Sequence, residues 1–154
     1  MLHGSGRNLP VFEATWEVVL DTDDDALGVL FLKALGGGTE ARHDLGWSFA
    51  TGTEGLPQNE YIGVFWERLA AEAGDGWAMN NLATMVERGQ GVKANPHEAF
   101  RLYQRAVKKR VPQAMCNLAR CYRCGKCGGR DEAEAERLEA EAADLLAKGE
   151  KKPR

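Results

Sequence analysis

With 154 residues, 44% of them hydrophobic and 28% charged, and a formal net charge of -3, the chain has the make-up of one folded domain. No apolar run reaches the eighteen or so residues that a membrane helix needs, so no membrane partner is expected. The polar start from Met1 to Pro10 lacks the apolar segment of a secretory leader. The expected compartment is therefore the cytoplasm, where four cysteines stay reduced.

Charge is unevenly spread. Met1 to Glu87 holds four basic and fourteen acidic residues, a net of -10. Arg88 to Arg130 holds eleven Lys and Arg against Glu98 alone, a net of +10. Asp131 to Glu150 returns to -6, with eight acids against Arg137 and Lys148.

In chain order, the first predicted element follows Asn8-Leu9-Pro10. Phe12, Trp16 and Val19 give it one apolar side, as in a short amphipathic helix that covers what comes next. From there the chain repeats. Ala41, Leu45, Phe49 and Gly52 recur 37 residues later as Ala78, Leu82, Val86 and Gly89. They recur after 36 more as Ala114, Leu118, Tyr122 and Gly125. Asn59, Asn95 and Asp131 are likewise 36 apart, as are Trp66, Leu102 and Leu138, and Ala70, Ala106 and Ala142. Extending back by 36 gives Asp23, Leu30 and Ala34, the second half of an earlier unit.

Each unit predicts two helices. The first carries apolar residues at i, i+4 and i+8. A glycine then ends it, because glycine accepts the positive φ of a helix stop. The second opens on a capping residue: Asn95 covers free N–H groups, Pro96 suits the first turn, and Glu98 completes a capping box. Asp131 and Glu134 repeat that spacing. Gly46, Ala83 and Ala119, each following the central leucine, let paired helices approach closely. The last helix, Glu132 to Lys148, keeps a thin apolar stripe of Ala135, Leu138, Ala142 and Leu145 under a polar outer face, as a terminal cap requires.

The stretch from Ala78 to Ala106, with Leu82, Gly89-Gln90-Gly91-Val92, Asn95, Ala99 and Tyr103, resembles a Sel-one-like repeat, a relative of the tetratricopeptide repeat. The resemblance covers about Asp23 to Lys148. The unit from Ala41 has an extra loop residue, and the unit from Ala114 puts Cys127 at the place of Gly91 and Gly128 at that of Val92. It implies an all-α fold, an α/α superhelical solenoid of helix-turn-helix repeats. The expected layout is a single domain over 1–154, with an N-terminal cap and half repeat over 8–37. Repeats follow over 38–74, 75–110 and 111–148, the last including the C-terminal cap.

In such a solenoid the first helix of each pair lines the concave side, and the resemblance implies that this side binds a peptide or a partner protein. The residues flanking the buried stripe would face that groove. They are His43, Asp44 and Trp47; Asn80, Asn81, Thr84 and Arg88; and Cys116, Asn117 and Arg120. Asparagine amides can bond both the N–H and the C=O of an extended peptide, and arginine grips a carboxylate. An acidic partner would complement Arg120 and Arg123. The expected role is a non-enzymatic, bacterial-type interaction scaffold.

The rival reading lies in the cysteines. Cys121, Cys124 and Cys127 are spaced like a metal knuckle, and zinc is the cofactor such thiolates would take. Cys121 and Cys124, three apart, lie 60° apart on a helix, whereas Cys116 lies 140° from Cys121. A fourth ligand is missing, and with reduced thiols the expectation is no cofactor. A redox pair of Cys124 and Cys127, activated by Arg123 and Lys126, is the other alternative.

Catalysis has little support. His43 and Asp44 are adjacent on one helix and point apart, His97 falls in a capping turn, and no phosphate loop, dinucleotide fingerprint or zinc-protease motif occurs. Nucleic acid is not expected either. The basic Arg101, Arg105 and Lys108 face would meet Glu132, Glu136, Glu139 and Glu141 of the next outer helix, and no open aromatics accompany it.

Overall fold

The computed structural model describes residues 9–21, 24–125 and 127–149. Among these, the chain forms eight helices and no strand. They are α1 (Leu9–Leu20), α2 (Asp25–Leu35), α3 (Thr39–Thr51), α4 (Glu60–Glu72), α5 (Gly76–Arg88), α6 (Pro96–Lys108), α7 (Pro112–Cys124) and α8 (Glu132–Ala147). Helices α3 with α4, α5 with α6 and α7 with α8 are antiparallel pairs that stack in chain order. The all-α solenoid implied by the repeats is the fold.

Local chemistry explains the boundaries. Asn59, Asn95 and Asp131 cap α4, α6 and α8, each side chain accepting the backbone N–H three residues on. Gly52, Gly89 and Gly125 end α3, α5 and α7 with φ of 70, 72 and 65°. Within the first pair, a Cβ at Gly46 would meet the Glu67 backbone at 2.8 Å, and one at Gly63 would meet Ala50 at 2.9 Å. Only glycine permits so close a crossing.

Two apolar cores share α4 as a common wall. Ile62 and Trp66 face Phe31, Leu45 and Phe49, whereas Val64 and Ala71 join Met79, Leu82 and the core that continues to Leu145. The C-terminal stripe of Ala135, Leu138, Ala142 and Leu145 is buried as expected.

The N-terminal cap departs from expectation in two ways. Val11, Thr15 and Val19 are buried and Phe12 packs on the Phe65 and Trp66 rings, while Trp16 stays 42% exposed. A helix laid across two others buries a broader side than a simple stripe suggests. The half repeat also has a different register. α2 is capped by Asp24, and Asp23 lies outside the described residues, as does Asn8. The turn into α3 matches the turn into α5 at a shift of 37: Gly38 N–H donates to Lys33 O as Asp75 N–H donates to Ala70 O. At that shift Leu27, Phe31 and Ala34, the buried residues of α2, hold the places of Val64, Arg68 and Ala71.

The charge pairing also differs. The acids of α8 engage Arg123 of α7, through Glu132 and Glu139, and Arg137 of α8 itself. They do so because α8 packs on α7, its own partner, and α6 lies one repeat away.

Candidate functional site

The first helices α3, α5 and α7 lie side by side and enclose an open cavity of about 490 Å³, whose walls include Trp47, Asn81, Thr84, Arg88 and Asn117. Stacking of repeats with the same register brings these residues together from three helices.

Beneath the cavity the polar side chains form a ladder. Asn117 Nδ2 donates to Asn80 Oδ1 at 3.0 Å, linking α7 to α5. Asn81 Nδ2 donates to Glu67 Oε1 at 3.1 Å, and Glu67 Oε2 lies 2.9 Å from His43 Nδ1, linking α5, α4 and α3. Burial raises the Glu67 carboxyl above the ordinary carboxylate range, against the pull of its bonds to His43 and Asn81. A second cluster lies further along. Thr84 Oγ1 is 3.1 Å from the Tyr103 hydroxyl, which donates to Glu87 Oε2 at 2.9 Å. Arg120 grips Glu87 with its two terminal guanidinium nitrogens, at 2.9 and 2.6 Å, and holds that carboxyl below its usual range.

The expected groove residues therefore take different places. Trp47, 49% exposed, and Arg88 stand open at the cavity. Asn81, Thr84 and Asn117 are half-buried and present one edge to it. Asn80 lines it but is buried, and its Oδ1 is taken by Asn117. His43 is buried against Glu67, Asp44 lines the neighbouring groove towards α2, and Arg120 is held by Glu87.

Sequence reasoning gave Glu67, Tyr103 and Glu139 no part in holding the first helices. Each follows the 36-residue apolar position by one residue and reaches a first helix: Glu67 to His43, Tyr103 to Thr84 and Glu139 to Arg123. The recurring polar residue at that place was the available signal.

The cysteines do not gather. Cys121 is in the core at 4% exposure, where burial pushes its thiol up to about 11. Cys124 is exposed on the last turn of α7 and its thiol points to the Cys121 carbonyl, 3.4 Å away. Cys127 lies beyond the Gly125 stop, and Lys126 lies outside the described residues. Burial also raises the Cys116 thiol. Among the described residues, no group of three or more His, Cys, Asp or Glu side chains is placed to hold a metal ion. The rival reading of a zinc knuckle thus finds no assembled ligand set there: the helix turns Cys121 inward and Cys124 outward. Among the described residues no helix is long and apolar enough to cross a membrane.

Stacked helix pairs with this loop and this concave row define a class of helical repeat solenoids. The sequence model of the Sel1 repeat matches residues 39–75, 78–110 and 112–145, and the chain belongs to the Sel1 repeat family. Proteins of this family are in general scaffolds for protein–protein interaction and are typically non-catalytic. The chain is similar to a Sel1 repeat protein of Oxalobacter formigenes, at 30% identity and a TM-score of 0.69, over 81% of this chain and 96% of that one. It is also similar to a protective antigen of uropathogenic Escherichia coli that displays an SLR fold, at 25% identity and a TM-score of 0.72, over 91% of this chain. Among curated proteins, chitin synthase regulatory factor 3 of Schizosaccharomyces pombe is 40% identical over 70 residues, 45% of this chain. These matches span 31% of the antigen and 7% of the yeast protein.

Proposed function

We propose that the chain acts by binding, and that its concave cavity receives an extended segment of a partner protein. The observation that carries this reading is the pair of oriented amides. Asn81 and Asn117 each spend one N–H on an internal bond, which leaves the amide oxygen and the second N–H for a ligand. An amide held in place loses less freedom on binding than a free one. Trp47 adds an exposed aromatic wall and Arg88 a charge at the rim. Arg120 is committed to Glu87, so a polar segment suits the cavity better than a strongly acidic one. The reducing cytoplasm suits the four thiols.

The test is site-specific photo-crosslinking, with the reactive amino acid placed at Gln113, which lines the cavity, or, on the outer side, at Arg101. A partner captured from Gln113 and lost in the Trp47→Ala, Arg88→Glu double variant supports the reading. Equal capture from Arg101, or capture indifferent to the double variant, refutes it. Trp47 and Arg88 are better targets than Asn81, whose loss would strip a bond from buried Glu67.

A further inference from the structure

Among the described residues, the row of first helices stops one place short at its N-terminal end. In α4, the edge carrying Gly63 and Glu67 is covered by the first helix of the same repeat: Gly63 abuts Ala50 of α3, and Glu67 meets His43. At the 37-residue shift shared by the two junctions, the same edge of α2 carries Ala26 and Leu30. The preceding helix, α1, does not cover it. Its rings go to the other side, Phe12 onto Phe65 and Trp66, and Trp16 onto Phe31. Ala26 is left exposed and Leu30 half-buried, and both line an open groove of about 400 Å³ that runs between α2 and α3.

We propose that this groove docks one amphipathic helix of a partner protein, with Lys or Arg flanking its apolar stripe. Shape argues for a helix, since the vacant place continues the row formed by α3, α5 and α7, each of 13 residues. Leu27 and Leu30 form an apolar floor and Trp47 an exposed aromatic wall. Asp24 and Glu54 supply charge at the edges, and no basic residue lines the groove among the described residues. An acidic rim favours a basic helix and disfavours an acidic one. A second copy of this chain is a poor occupant. Its basic helices, α6 and α7, already pack on α5 and α8 and could be lent only by unfolding. This site goes beyond the amide-lined cavity of the proposed function and shares only the Trp47 wall with it.

Three fluorescent helical peptides on the order of 15 residues test this, each long enough to hold a helix when stapled. They share an Ala and Leu stripe at i, i+4 and i+7 and carry Lys, Gln or Glu beside it. With the full chain, the Lys peptide should bind saturably and about tenfold tighter than the Glu peptide, a gap that narrows with salt. Ala26→Arg puts a cation in the floor at an exposed position and should weaken the Lys peptide about tenfold with an unchanged circular dichroism spectrum. Arg101→Glu, on the outer side, should change nothing. The proposal is overturned if none of the peptides binds, if Lys and Glu peptides bind equally, or if Ala26→Arg has no effect. It is equally overturned by a concentration-dependent dimer that Ala26→Arg dissolves, because a second copy would then fill the groove.

Discussion

Glu67 shows how one side chain can hold three helices. It is fully buried, its two oxygens meet Asn81 and His43, and the Gly46 backbone crosses directly above it. Glu67→Ala should cost roughly 2–4 kcal/mol in urea unfolding, because it leaves a cavity and takes the acceptor from buried His43 and half-buried Asn81. Its titration has a defined sign. The folded chain keeps a proton on the raised carboxyl at pH values where the unfolded chain has released it, so stability falls as pH rises through that interval. Glu67→Gln cannot titrate. The difference in stability between wild type and Glu67→Gln should therefore shift in favour of the variant as pH rises from about 4 upward. A difference that stays constant with pH would sink this account. The position was visible as a 36-residue recurrence, but its burial was not, because a glutamate in a helix is usually solvated.

At the scale of elements, caps and stops were legible because they are local. Asn95, Pro96 and Gly89 act on backbone groups within one turn, and their spacing alone marks where α5 ends and α6 begins. The seating of α1 was not legible in this way. It depends on Trp66, whose ring N–H donates to Thr15 Oγ1 at 3.1 Å across 51 residues of chain. Thr15 in turn donates to Val11 O at 2.6 Å. Thr15→Val keeps the shape but orphans the buried indole N–H, a cost of about 1–3 kcal/mol. Amide exchange in α1 should then speed up while α6 to α8 stay protected. Uniform exchange across the chain would mean that α1 is not an independently docked element.

At the scale of the molecule, stability in a solenoid comes from each repeat and from its contact with the next. The loop after α5 makes one such contact. Gly91 has φ 66°, and a Cβ there would lie 2.3 Å from the Glu60 carbonyl oxygen at the start of α4. Gly91→Ala should therefore cost about 1–3 kcal/mol and uncouple the two cores, seen as a lower urea midpoint with a shallower slope. An unchanged midpoint and slope would show that this loop does not couple the repeats.

By itself the sequence determined the helices, their pairing, the repeat family and the buried stripe, because each follows from short-range spacing: a 3.6-residue period, a cap, a glycine stop. Only the tertiary structure decided which polar residues reach the concave face. His43 and Asn80 turned inward, Trp47 and Arg88 outward, and Cys121 parted from Cys124, because orientation around a helix depends on what packs beside it. The open place beside α2 likewise appears only once α1 is seen to lie on the other side, a choice made by aromatic contacts between residues far apart in the chain.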